Sequence, residues 1–284
     1  MNKKWWMAGG AFGVGAAMLL ASGLSAMAST SGYEAYEAAL TKTTQVSSLT
    51  ARVNLTVTDN GKSLFAGASD IRLDSARRAV SLNAKAEGDG KAHAADIFVQ
   101  DGQLIVKTAN SDAYKVKALD EEKENAAQEK PHGPPQAALR LFDALTGNVK
   151  ELATVETEAD GSKRASLHLS GSQIPAVVNA LGALAASGLA EHGDAGAGAP
   201  ALTDGVKVER IELDADIGPD GLLEDQTVRL VLTGKDDTGL KHELDLALRI
   251  DISDIDGTTP DRVDLTGKKV EPLDDGKEGR SWHR

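Results

Sequence analysis

Six histidines, His93, His132, His168, His192, His242 and His283, are the side chains of this 284-residue chain best suited to hold a metal or move a proton near neutral pH. None has a second histidine four residues away, where a helix would bring both rings to one face, and none stands in a His-Glu-x-x-His context. His132 and His192 fall in connectors and His283 in the tail. His93, His168 and His242 are assigned to the polar faces of strands, so all six read as surface histidines. Ser172 follows a glycine ahead of an apolar run, where a nucleophile would stand at a strand-to-helix elbow. A helix N-cap needs the same residue type at the same place, and Ser172 reads as a cap. Asp251, Asp254, Asp256 and Asp261 form the densest carboxylate group. Asp254 and Asp256, with Gly257, match the opening of a calcium loop but lack the acidic ligand at its far end, so turns ending a strand are the simpler reading and a metal the weaker one. No phosphate-binding glycine motif occurs and there is no cysteine, which removes thiol nucleophiles, disulfides and thiolate metal sites. No catalytic residue and no cofactor is expected.

With so little that could do chemistry, the elements themselves become the informative part. Residues 242–252, HELDLALRIDI, place Leu244, Leu246, Leu248, Ile250 and Ile252 at every second position, with Glu243, Asp245, Arg249 and Asp251 between them. Successive strand side chains point to opposite faces, so this segment has one apolar and one wet face. Burying each large aliphatic is worth roughly 1.5–3 kcal/mol, and the apolar face needs a cover. The same period predicts strands at 49–58, 64–73, 80–86, 91–99, 103–108, 113–117, 152–158, 163–169, 206–217 and 222–233, eleven in all with 240–252. Asn60-Gly61 signals a type I′ hairpin. Phase slips predict bulges between Ala68 and Ile71 and near Val208 and Ile211.

Helices are predicted at 31–45, with Tyr33, Tyr36, Ala39 and Leu40 on one face, at 136–145, and at 173–189. The last carries a broad stripe of Ile174, Val177, Val178, Leu181, Leu184 and Ala185, too apolar to lie bare in water. Packed on the sheet it is a core helix; over a cleft it is one wall of a binding site. Residues 119–135 are charged, then proline-rich, with no apolar period, and read as a solvated connector between halves 29–118 and 136–267 of a single domain. Residues 268–284 read as a polar tail. The expected class is α+β, a large antiparallel sheet with helices on one side.

Residues 1–28 have Lys3 and Lys4, an apolar Gly/Ala-rich run and a small-x-small Ala26-Met27-Ala28 ending, the layout of a signal peptide cleaved after Ala28. An uncleaved membrane anchor is the alternative, because the apolar run approaches the ~20 residues that span a bilayer. Either way the remainder is expected outside the cytoplasm. The formal charge of −12 and an aromatic content of 4% argue against nucleic-acid or anionic-lipid surfaces. Membrane contact is expected only through an uncleaved leader.

The leader, the helix at 33–42, the long meander, the apolar helices between strands and the closing Ile252-Ser253-Asp254-Ile255-Asp256-Gly257 with Val263-Asp264-Leu265 together resemble the LolA/LppX-like group of secreted carrier proteins. Thr258-Thr259-Pro260-Asp261 and the phrase at 263–267 are similar to the endings of uncharacterised secreted proteins of Gram-positive bacteria. The resemblance implies that the sheet, about eleven strands, curves into a half-barrel with helices on its concave face. It further implies an acyl chain or lipoprotein bound between them. Ile174, Val177, Val178, Leu181 and Leu184 would line such a cleft, facing Leu244, Leu246, Leu248 and Ile250. The resulting expectation is a secreted, non-enzymatic binding protein for a lipid or other apolar ligand. The alternative is an envelope-associated scaffold with a filled core, no ligand and a protein partner.

Overall fold

The computed structural model describes residues 32–88, 90–119, 150–174 and 199–273. Over these residues every expected strand forms: β1 (Ser48–Asp59), β2 (Lys62–Asp74), β3 (Ala79–Gly88), β4 (Lys91–Gln100), β5 (Gln103–Thr108), β6 (Tyr114–Ala118), β7 (Thr154–Thr157), β8 (Lys163–Ser170), β9 (Asp204–Ile217), β10 (Leu223–Lys235) and β11 (Lys241–Ser253). A further strand, β12 (Val270–Pro272), arises inside the stretch expected to be a polar tail. One α-helix, α1 (Gly32–Thr43), is present among the described residues.

All the strands form one 12-stranded sheet in the order β12-β6-β5-β4-β3-β2-β1-β11-β10-β9-β8-β7. Every ladder is antiparallel except β12 on β6. The meanders β1–β6 and β7–β11 join at the centre, where β1 pairs with β11 from Thr50↔Ser253 to Asp59↔Leu244. β6 and β7 lie toward opposite ends of the sheet. The sheet is open, and the architecture is sheet-dominated rather than the helix-packed α+β expected from sequence. The helix expected at 136–145 and residues 175–189 of the one expected at 173–189 lie outside the described residues; Gln173 itself ends a short 3-10 turn, Gly171–Gln173.

Asn60 and Gly61 have φ of 49° and 78°, the positive pair a type I′ turn requires, and Asp101 and Gly102 repeat it at 52° and 69°. The bulge expected near Val208 is found: Val231 pairs with Arg210 and Leu232 with Val208, leaving Glu209 as the extra residue. The one expected between Ala68 and Ile71 is not. That ladder is regular, and the shift comes where Val57 pairs with Phe65 and Thr58 with Ser63, which leaves Leu64 extra. The bulge turns Leu64 onto the apolar side, where it packs against the cluster of Leu232 and Leu244.

α1 lies across β7–β10 with Tyr36, Ala39 and Leu40 against Ala165, Ala215, Ile217 and Leu223. Its last residue is tied down: Thr43 Oγ1 donates to the Ala39 carbonyl at 2.8 Å and accepts the Leu223 N–H at 2.8 Å. Beyond β11 the chain crosses the polar face. Asp254 and Asp256 turn it with φ of 49° and 57°. Asp256 Oδ1 accepts from Ser47 N–H at 2.9 Å and Ser47 Oγ at 2.7 Å, which holds its carboxyl below the usual range. Thr258 then meets Thr50, the Asp261 N–H donates to Ser81 Oγ, and Gln100 clasps the Val263 backbone on both sides. The strap ends by adding β12 to β6.

Candidate functional site

The register places one apolar line after another across the second meander and into the first. Leu167, Leu213, Val228, Leu248 and Leu55 face each other in turn from β8 to β1. The neighbouring line is Leu169, Ile211, Leu230, Leu246 and Val57. The two ends of this face are sealed. At one, Leu169, Ile174, Leu202, Val208, Leu232 and Leu244 form a buried cluster. At the other, Ala165, Ala215, Ile217 and Leu223 pack under α1, and Ala51, Val53, Ile71, Leu82 and Ile250 pack together beside them. Between these ends all five members of the Leu167–Leu55 line stay half-buried. On β2 the line continues into Gly67, where the Phe65 ring fills the space a Cβ would take, and on β3 into Ala86.

Of the residues assigned to an apolar cleft from sequence, Ile174 and Leu244 come together in one sealed cluster, with Leu246 packed against it. Ile250 belongs to the cluster at the opposite end, with Leu248 packed against it. Leu244 and Ile250 are almost fully buried, whereas Leu246 and Leu248 are half-buried. Val177, Val178, Leu181 and Leu184 lie outside the described residues. Within β10 and β11 two buried polar side chains interrupt the face. Gln226 stands between Ile250 and Ala215 and is 4% exposed. The Tyr36 hydroxyl donates to its Oε1 at 3.0 Å, and burial pushes that phenol up to about 12. His242 follows at the rim, buried among the turns.

Both His242 and His93 depart from expectation. They were assigned to polar faces, but His242 pairs with Gly234 in phase with Leu244, and His93 pairs with Ala86 in phase with Ala84. Position in the alternation, not residue type, decides the face. His168 does lie on the polar face, 3.0 Å from both oxygens of Asp214. His132, His192 and His283 are outside the described residues. The cap assigned to Ser172 is also displaced: it lies within the 3-10 turn Gly171–Gln173, and the Ser170 N–H donates to Gln173 Oε1 at 3.3 Å.

The opposite face is a field of paired charges. Arg229 donates to both oxygens of Asp245, and Arg164 to Asp216. Asp225 and Asp251 oppose each other across β10 and β11, with Arg249 2.8 Å from each. Burial and the facing Asp251 push the Asp225 carboxyl up, while Arg249 holds Asp251 below its ordinary range. Among the described residues no group of three His, Cys, Asp or Glu could hold a metal. Asp256, one of the two weak metal candidates, spends its carboxylate on Ser47, and Asp254 offers its backbone carbonyl to Thr258.

Ladder and face together define an open, mostly antiparallel sheet whose strands from β8 to β1 have one charge-paired side and one apolar side. No family model and no curated protein matches the sequence. Among solved structures it is similar to the ywiB protein of Bacillus subtilis, at 9% identity over 73% of this chain and 92% of that one, with a TM-score of 0.15. It is also similar to a LolA superfamily protein of Nitrosomonas europaea, at 9% identity over 84% and 97% of the chains, TM-score 0.20. A third is a beta-barrel-like protein of the domain of unknown function DUF1849 from Brucella abortus, at 9% identity over 74% and 99%, TM-score 0.19. Likenesses this remote settle neither fold nor function; the fold described above rests on the strand ladders.

Proposed function

We propose that this chain is an extracytoplasmic, non-enzymatic protein that takes a flexible apolar ligand, a lipid or another hydrocarbon chain, on the apolar face of its sheet. In this reading the sheet curves into a half-barrel with helices on its inner side, and residues 1–28 direct the chain out of the cytoplasm. Leu246 and Leu248 lie on the floor of the site, and Leu244, Ile250 and Ile174 close its ends. Val177, Val178, Leu181 and Leu184 lie outside the described residues and the reading does not depend on them. The observation that carries it is the line Leu167, Leu213, Val228, Leu248 and Leu55, half-buried between two sealed ends. Apolar area left near water costs about 25 cal/mol per Å², so a face with no occupant gains by packing its middle as tightly as its ends. The five side chains of this line are all aliphatic, with the Phe65 ring only at its β2 end, which suits an acyl chain, held by dispersion and desolvation, better than a flat ring.

The test is protein purified without detergent, examined by native mass spectrometry and by uptake of cis-parinaric acid. Co-purifying lipid and saturable probe binding are expected, with the Leu248→Asn change weakening uptake at temperatures well below the variant's own melting point. Protein that is empty in repeated preparations, takes up no probe and crosslinks instead to an envelope protein would replace this reading with the scaffold alternative.

A further inference from the structure

At the end of the sheet where the β1–β2 and β10–β11 hairpins turn, a polar knot sits beside an apolar cluster. The His242 side chain retains 7% of its surface. Its Nδ1 lies 2.8 Å from Asp59 Oδ2 and its Nε2 3.3 Å from Asp236 Oδ2. Asp59 is the last residue of β1, and Asp236 opens the turn after β10. Across the ladder from His242 is Gly234, and Leu202 fills the space above it, 3.3 Å from where a Cβ would stand. The ring is therefore held between two hairpin tips at the margin of the Leu202, Leu232 and Leu244 cluster.

A neutral imidazole has one N–H, while the charged ring has two. Two carboxylates flanking one ring are both satisfied only by the charged form. Asp59 Oδ1 is buried without a hydrogen bond, so among the described residues the His242 proton is what answers the charge of that carboxylate. Asp236 is less dependent on it: Oδ1 already accepts from Thr238 N–H, Thr238 Oγ1 and Leu240 N–H. Other charges at this end are turned elsewhere. The exception is Lys62, which shares a face with its ladder partner Asp59 but forms no ion pair with it; Lys235 lies 3.8 Å from Asp204, Asp237 is in the exposed turn, and Lys241 and Glu243 are exposed on the other side of β11.

We propose that His242 is a pH-sensitive latch between the two hairpin tips. Protonated, it ties Asp59 to Asp236. Neutral, it keeps the shorter bond to Asp59 and releases the β10–β11 tip, whose Leu240 is 60% exposed, loosening this end of the apolar face. The latch does not depend on what that face binds. The bond to Asp59, and then that to Asp236, raises His242 above the ordinary histidine range against the opposing effect of burial. The Thr238 hydroxyl, followed by the other donors, holds Asp236 at about 2. With a raised folded value, the stability from His242 is complete below the unfolded value of ~6.5 and is lost as pH rises through the folded one.

The experiment is an NMR titration of the histidine Cε1–H signals in the full chain, paired with melting temperatures from pH 6 to pH 8.5. His242 is expected to titrate above ~6.5, to move down in Asp236→Asn, and to give the native chain a melting temperature that falls across this range. His242→Gln should lose that fall. If His242→Gln does not fold, the native titration and Asp236→Asn decide the question. A His242 that titrates at or below the ordinary value, an Asp236→Asn change that leaves it unmoved, or a pH slope that survives in His242→Gln would each overturn the latch.

Discussion

Gln226 shows how a single side chain can break the rule of its strand and still be kept. It is the only amide in the stretch of β10 that runs Gln226, Val228, Leu230 and Leu232, and it points the same way as those aliphatics. A buried carbonyl oxygen without a donor costs about 1–3 kcal/mol, and Tyr36 supplies the donor from α1. Tyr36→Phe should therefore destabilise the protein by about that amount, while Tyr36→Phe combined with Gln226→Leu should recover most of it. Urea unfolding of the three variants checks both halves of the claim, and equal losses in the single and double variants would refute the pairing. The Tyr36 phenol should also stay protonated at pH 11, above the ~10 at which an exposed tyrosine ionises, as followed by ultraviolet absorbance. Both Gln226 and His242 were legible in the sequence by parity alone, since each is an even-numbered residue two before a run of even-numbered aliphatics. What the sequence did not hold is their partners: Tyr36 comes from the helix, Asp59 from the β1–β2 hairpin, and Asp236 from the turn just before His242.

At the scale of elements, alternation was sufficient to find β1 to β11, most of them long with one wet face, but not the three-residue β12. It failed at the bulge in β2, where Ala66, Gly67 and Ala68 are too small to report which side they face, so the slip was assigned to the wrong residues. The helix α1 exposes a conflict between local and tertiary preference. Gly32 is its first residue, and helix propensity favours alanine over glycine by about 1 kcal/mol. Yet a Cβ on Gly32 would stand 2.0 Å from the Thr154 carbonyl oxygen, inside the backbone of β7. Gly32→Ala is expected to lower stability by more than propensity returns and to loosen α1 from β7 and β8. The sign of the change in a thermal melt decides it: a gain would mean that the helix does not dock as closely as the structure places it. Ala38→Gly, on the exposed side of the same helix, is the control, with a loss near the propensity value alone.

At the scale of the molecule, local hairpins predict neighbours within each meander but not how the meanders meet. That joint is made by β1 and β11, strands from opposite ends of the sequence, and no local signal announces it. The same is true of β12 and of the strap, whose hydrogen bonds run from 254–269 back to Ser47, Thr50, Ser81 and Gln100. Three independent attachments therefore hold the halves together. The β1–β11 ladder buries Ile250 among Ala51, Val53, Ile71 and Leu82; α1, from the start of the chain, packs on Ala165 and Ala215; and the strap lies across the first meander. Such long-range pairing must close a large loop before it is rewarded, so slow folding is expected, in milliseconds to seconds by comparison with other sheet proteins. It also predicts that the chain does not need to be continuous once folded. A site-specific protease sequence placed within 120–135 and cut in the native protein should leave fragments that elute together and melt in one transition. The cut removes a covalent link between β6 and β7, strands that do not pair, and leaves every ladder intact. Fragments that elute apart, or two separated melting transitions, would mean that the β1–β11 joint is weaker than its ten-pair register implies.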